Sequence, residues 1–181
     1  MTTDSTHEAL AAEASQLFIQ GLEFYQQHDF QAALAAWQQT IELRKQLPLD
    51  NPEYRNDLAS AYYNCGTALG KLRRFEEAIT HYQQAIELRK QLPLDNPMYR
   101  NELAGAYTNC GNALLNLGRF EEAIAQYQQA IELDKQLPLD NPKYLNDLVR
   151  AYNRYGAILC DDLKRFKEAI SQFQNRCVTT D

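Results

Sequence analysis

The stretch QLPLDNP stands at Gln46–Pro52, again at Gln91–Pro97, and again at Gln136–Pro142, identical in every copy. In the middle copy, Pro93 lacks an N–H and clashes with the preceding turn, so no helix runs through it. Leu92, standing before a proline, is pushed out of the helical region. Asn96 also precedes a proline and must be extended, which is the conformation an N-cap adopts, and Asn is a strong N-cap. Pro97 then suits the first helical position, where a missing N–H costs nothing. Leu94 and Tyr99 are spaced to clasp across the start of the new helix. The stretch therefore reads as a joint between two helices, in which all residues except Gln91 and Asp95 have a structural part. A recognition loop displayed in triplicate is the alternative, and it stays open at this point.

The joints lie on a ruler. Ile41, Ile86 and Ile131 each open an I-E-L triplet and are 45 residues apart. Gly21, Gly66, Gly111 and Gly156 follow the same spacing. A fixed period of this size marks a solenoid, in which each unit buries its apolar face on its neighbour.

Each unit reads as two helices. Tyr54, Leu58, Ala61, Tyr62, Cys65, Ala68, Leu69 and Leu72 step by three and four, one face of a helix A of about six turns. Phe75, Ala78, Ile79, Tyr82, Ala85 and Ile86 do the same for a helix B of about five turns. Arg73-Arg74 forms the turn between them. The expectation is an all-α chain of four helix pairs, eight antiparallel helices and no strand. The repeats fall at 6–50, 51–95, 96–140 and 141–176, in one domain with tails 1–5 and 177–181. Ser5-x-x-Glu8 reads as a capping box for the first helix. Arg176 stands where Ala85 and Ala130 stand in earlier units, a polar substitution that reads as a terminal cap. One extra residue between Gly156 and Phe166 is expected in the CDDLKR turn.

Composition bounds the function. Of 181 residues, 45% are hydrophobic and 23% charged, enough for a core, and the net charge is −6. An acidic chain lacks the basic footprint that nucleic acid demands. No apolar run approaches the ~20 residues of a membrane span. The opening MTTDSTHEAL has no basic region followed by an apolar one, so no secretory signal is expected. The four cysteines, Cys65, Cys110, Cys160 and Cys177, form no C-x-x-C pair. They point to free thiols in a reducing cytoplasm.

Tyr62-x-x-Cys65-Gly66-x-x-Leu69 followed by Ala78-x-x-x-Tyr82 resembles the tetratricopeptide (TPR) pattern W-x-x-L-G-x-x-Y…A-x-x-x-F. The third unit matches with Tyr107, Cys110, Gly111, Leu114, Ala123 and Tyr127. The fourth matches with Tyr152, Tyr155, Gly156, Leu159, Ala169 and Phe173. The first is looser, with Leu17, Gly21, Phe24, Ala33 and Trp37. The resemblance implies an α-solenoid, a right-handed superhelix of helix pairs that binds protein segments. Gly66 and Ala78 are expected to let helices A and B touch backbone to backbone, with Tyr82 beside them. The 45-residue unit is longer than the usual 34-residue repeat. This long, N-P-initiated form resembles, more loosely, the repeats of kinesin light chains.

Catalytic or metal chemistry needs converging groups, and the sequence offers none. His7, His28 and His81 are dispersed, with no metal-ligand spacing to a cysteine. Cys65 and Cys110 sit in a core column and read as small apolar residues. No phosphate-binding glycine loop or Ser/His/Asp arrangement is present. Glu76-Glu77 and Glu121-Glu122 open helices B, where they complement the dipole. No catalytic residue, cofactor or metal is therefore expected.

A second stripe on helix A changes from unit to unit. It reads Ser15, Phe18, Ile19, Leu22 and Tyr25 in the first unit. The second has Ser60, Tyr63, Asn64, Thr67 and Lys71. Gly105, Thr108, Asn109, Asn112 and Asn116 follow in the third, then Arg150, Asn153, Arg154 and Ala157. In TPR proteins helix A lines the concave groove, so the resemblance makes this stripe the groove wall. Its character runs from apolar, through asparagine-rich, to basic. An asparagine amide offers a donor and an acceptor, matching the backbone of an extended peptide. Asn109, Arg150 and Arg154 resemble part of the carboxylate clamp of chaperone-binding TPRs, but Tyr63 and Thr67 stand where that clamp has lysine and asparagine. A chaperone tail is thus disfavoured. The expected partner is a peptide segment of another protein, apolar in one part and acidic in another. The rival reading is self-assembly through the apolar first unit, and solvated groove residues without a ligand are the bland one.

Overall fold

In a computed structural model of the chain, residues 3–162 are described. They form two compact units, Met1–Pro93 and Leu94–Asp181. The first holds α1 (Thr3–Gln26), α2 (Phe30–Arg44), α3 (Pro52–Lys71) and α4 (Phe75–Arg89), each packed on the next. The second holds α5 (Pro97–Asn116), α6 (Phe120–Asp134), α7 (Pro142–Ala157) and a π-helical stretch, Ile158–Asp162. There α5 packs on α6 and α6 on α7. Among the described residues the structure is all-helical, with seven α-helices. The expected eighth, with Arg176 and Cys177, lies outside them.

The joints are built as the local chemistry dictates. Asn51, Asn96 and Asn141 are extended, with ψ of 119°, 116° and 115°. Each side chain accepts a hydrogen bond from the N–H two residues on, at 2.8, 2.9 and 3.0 Å, and a proline fills the first helical position. Leu47, Leu92 and Leu137 are buried. The glutamines have a part that the sequence does not reveal. Gln46, Gln91 and Gln136 each cap the preceding helix by donating from Nε2 to the carbonyl of Glu42, Glu87 or Glu132. Only the aspartates of the stretch, Asp50, Asp95 and Asp140, remain as exposed residues with no capping bond of their own.

Close approach between paired helices is real, but its nature differs from the expectation. A Cβ on Gly66 would lie 2.7 Å from the Tyr82 ring, and one on Gly21 2.3 Å from the Trp37 ring. The missing side chain therefore makes room for the aromatic of helix B, not primarily for its backbone. At Gly111 both apply, with the Tyr127 ring at 3.0 Å and the Ala123 carbonyl at 3.3 Å.

Three further features depart from the expectation or refine it. α1 begins at Thr3, so Ser5 lies inside the helix and not at its cap. Helix A of the second and third units ends in a left-handed residue at Arg73 (φ 60°) and Gly118 (φ 71°), and the first unit has His28 (φ 62°) at the equivalent place. Glycine alone adopts this conformation freely. In the fourth unit α7 runs into a π-helical stretch, Ile158–Asp162, which takes in the Cys160-Asp161-Asp162 part of CDDLKR, and the rest of that turn lies outside the described residues. A π turn closes i to i+5 and so absorbs one added residue without ending the helix.

Candidate functional site

The stripe on helices A is laid over a fixed frame. In the first unit of the structure, Phe18 and Tyr25 both pack on Trp37, at ring distances of 6.4 and 5.8 Å. The Trp37 indole N–H donates to the Phe18 carbonyl at 3.1 Å. Leu22 is exposed, as is its neighbour Ile19 at 55%. On α3, Tyr63 packs on Tyr82 at 5.8 Å. Thr67 donates to the Tyr63 carbonyl and accepts from the Tyr82 hydroxyl. Asn64 is half-buried and Lys71 exposed.

In the second unit the same frame holds asparagines. The Tyr127 hydroxyl donates to Asn112 Oδ1 at 2.8 Å, and Asn112 Nδ2 donates to Asn109 Oδ1 at 3.4 Å. Asn116 is exposed and its amide donates to the Asn112 carbonyl. The amides are thus oriented by the protein itself. Thr108 is buried, whereas Asn153 and Arg154 of α7 are exposed. Arg150 is exposed too, but its guanidinium is paired with Asp147. That pairing shares its charge and leaves Arg154 as the better-placed cation of the two.

Beneath the stripe runs a column that sequence reasoning missed. Arg44 and Arg89, the last residues of α2 and α4, are 4% and 3% exposed. The Arg44 guanidinium lies 4.7 Å from the Phe18 ring centre, and that of Arg89 lies 5.2 Å from the Tyr63 ring centre. Such stacking attracts a cation to the face of the ring. Arg44 also donates to the Asp57 carbonyl and sits 3.8 Å from the Asp57 carboxylate. Burial draws both groups toward neutrality, lowering the Arg44 value and raising that of Asp57, while each opposes the shift in the other. The Arg89 guanidinium donates to Ser60 at 3.3 Å. A helix-end arginine looks solvated in the sequence. Its 45-residue recurrence on the ruler was the available signal.

The remaining candidates for chemistry resolve into structure. Cys65 and Cys110 are fully buried, and burial pushes their thiols up to about 12 and about 11. His81 packs on Tyr62 at 5.8 Å, and burial lowers its basicity. Glu77 and Glu122 hydrogen-bond Arg74 and Arg119, which holds them below the usual carboxylate range. Among the described residues, no three His, Cys, Asp or Glu are placed to hold a metal ion. No described helix is long and apolar enough to cross a membrane.

Antiparallel helix pairs, each with a small residue on A under an aromatic on B, define a helical repeat protein. Tetratricopeptide repeat models match residues 20–67, 59–92 and 104–137, and the chain belongs to the tetratricopeptide repeat family. Among curated proteins no sequence relative is found. Solved structures share the fold. BtubC (BKLC) from P. vanneervenii aligns with a TM-score of 0.76 at 15% identity, over 92% of this chain and 63% of that one. Aspartyl phosphate phosphatase F from Bacillus subtilis aligns at 0.74 and 18% identity, over 94% of this chain and 40% of that one. A TPR-like protein from Chlorobium tepidum aligns at 0.66 and 18% identity, over 84% of this chain and 98% of that one. The chain thus spans under two thirds of the length of the first two.

Proposed function

We infer that the chain is a non-enzymatic scaffold or adaptor that binds an extended peptide segment of another protein along the helix A stripe. Membership of the TPR family supports a protein partner. The observation that carries the finer reading is the Tyr127–Asn112–Asn109 network, in which side-chain amides are oriented in advance. An oriented amide loses less freedom when it meets a peptide backbone. Phe18, Leu22 and Tyr25 would take an apolar part of the ligand, Tyr63, Asn64, Thr67 and Lys71 a mixed part. Thr108, Asn109, Asn112 and Asn116 would hold backbone, and Arg154, with Asn153 and Arg150, an acidic part. Free buried thiols at Cys65 and Cys110 fit a reducing cytoplasm. Affinity should be modest, on the order of micromolar, because ordering a flexible peptide offsets much of the gain.

The test selects peptides from a random library on the purified protein, then measures the best by fluorescence anisotropy. Asn64→Ala with Asn109→Ala should weaken binding whatever the peptide side chains, and Arg154→Glu should weaken acidic peptides most. Binding that survives both, yet is lost when Glu76, Glu77, Glu121 and Glu122 become glutamine, moves the working face to helices B.

Self-assembly is the second reading, favoured by the exposure of Ile19 and Leu22 on α1. Apolar patches of this kind mark interfaces. Light scattering over a concentration series decides it: a mass that doubles with concentration, and that Ile19→Glu returns to monomer, supports self-assembly.

A further inference from the structure

The buried column beneath the stripe changes sign in the third repeat. Arg44 and Arg89 are followed on the 45-residue ruler by Asp134, at 1% exposure the most buried of the three. In the first unit of the structure, the arginine at the end of α2 meets an acid, Asp57, on α3. The equivalent residue on α7 is Asp147, so the α6–α7 contact sets a carboxyl against a carboxyl.

Asp147 is already satisfied. Its Oδ2 accepts from Asn101 Nδ2 at 3.0 Å, and its Oδ1 from Arg150. Asp134 is not, since its Oδ1 is buried without a hydrogen-bond partner among the described residues. One guanidinium therefore serves two carboxyls, one of them out of water. An uncompensated buried charge is costly, and the group relieves the cost by holding its proton.

We propose that the contact between α6 and α7 is a proton-operated joint: protonated Asp134 lets α7 dock on α6, and ionised Asp134 loosens it. Among the described side chains, the charged groups acting on Asp134 are Asp147 and Arg150, both from α7. α5 contributes the uncharged Asn101, through Asp147. On α6 itself, the neighbouring Lys135 is exposed and tied to Glu132. Burial first, then Asp147, pushes the Asp134 carboxyl up to about 7, with Arg150 opposing.

The sign follows. Below the ordinary value of 3.8, folded and unfolded chains are both protonated and the docked state has its full stability. Between that value and about 7 the folded chain keeps a proton that the unfolded chain releases, so stability falls as pH rises. An exposed carboxylate held by an arginine, such as Glu77 beside Arg74, behaves in the opposite way. α7 also carries Asn153 and Arg154, so their presentation to a ligand would vary with pH. That consequence rests on the groove reading above, whereas the joint itself does not.

The experiment needs no ligand. The side-chain carboxyl carbon of Asp134 is followed by NMR through a pH titration of the whole protein. Hydrogen exchange of α7 amides, corrected for intrinsic rates, is measured over the same range for wild type, Asp134→Asn and Asp134→Arg. The expected wild-type midpoint is about 7. Protection of α7 should fall by about tenfold per pH unit through the middle of the window and level off above about 7, the slope set by one proton. Asp134→Asn should abolish that dependence, and Asp134→Arg should do so as well by restoring the arginine of the earlier repeats. α1 to α4, which carry their own shifted groups in Asp57 and His81, should show the same profile in wild type and both variants. A wild-type midpoint near that of an ordinary aspartate overturns the proposal, even if a variant fails to fold. So does an α7 pH profile shared by wild type and Asp134→Asn.

Discussion

The guanidinium of Arg55, near the start of α3, donates to the backbone carbonyl of Gln91 at 3.1 Å, 36 residues further along the chain. Arg100 does the same to Gln136 at 2.9 Å. The helix A of each of these repeats thus holds the joint that ends its own repeat. Replacing Arg100 with methionine keeps the stem and removes the donor. It should cost about 1 kcal/mol in a urea-unfolding measurement, the net worth of one such bond. The fourth unit has Leu145 at this place, so the expected effect of Leu145→Ala is confined to packing.

The caps separate the two readings of QLPLDNP. Asn96 accepts from the Met98 N–H at 2.9 Å. Asn96→Ala should lower stability by roughly 1 kcal/mol, and Pro97→Ala by less, because proline at that position contributes only a preset angle. An Asn96→Ala protein that melts like wild type but loses a selected peptide would make the stretch a recognition loop.

The glycines should rank by the space above them. Gly21→Ala and Gly66→Ala force a Cβ to within 2.3 Å of Trp37 and 2.7 Å of Tyr82, both buried rings. Overpacking of this kind costs about 1–3 kcal/mol, less the roughly 1 kcal/mol that alanine gains in a helix. Gly111→Ala, at 3.0 Å, should be milder. At Gly105 nothing lies within 4 Å, so Gly105→Ala should raise stability by up to about 1 kcal/mol. Thermal melts of the four variants check the order, and equal effects at Gly21 and Gly105 would refute it.

Thiol reactivity reports burial. With Cys65 raised to about 12 and Cys110 to about 11, almost no thiolate exists near neutral pH, and the thiolate is the reactive form. Native protein should therefore label slowly at both positions, and at Cys160, which is only half-buried, it should label faster. Rapid modification at Cys65 or Cys110 before unfolding would show that the core opens.

The frame of this fold is legible because its determinants are local. Asn96 and Pro97 act on their own dihedrals, and Gly66 recurs on the same ruler as the aromatic that covers it. The stripe is legible as a variable surface on that frame. Long-range chemistry is not. Arg44 ends a helix with an ordinary surface-like sequence, and its burial depends on Phe18 and on Asp57 in the next helix. Asp134 looks like one more acid in an acidic chain until α7 covers it. Gln91 looks idle because its partners are a carbonyl four residues back and a guanidinium on the helix before. The extra residue after Gly156 is visible as a count, but the π-helical stretch Ile158–Asp162 depends on hydrogen-bond geometry that a count does not show.

Since the three joints share one sequence, a boundary carries no record of which repeat lies on either side of it. A copying error that adds or deletes a whole period leaves every surviving boundary with its asparagine cap, its proline and its buried leucine. The number of repeats can then drift between lineages while each repeat still folds, and the stripe gains or loses one station at a time. The array can then change in length without first having to rebuild the hinge between its members.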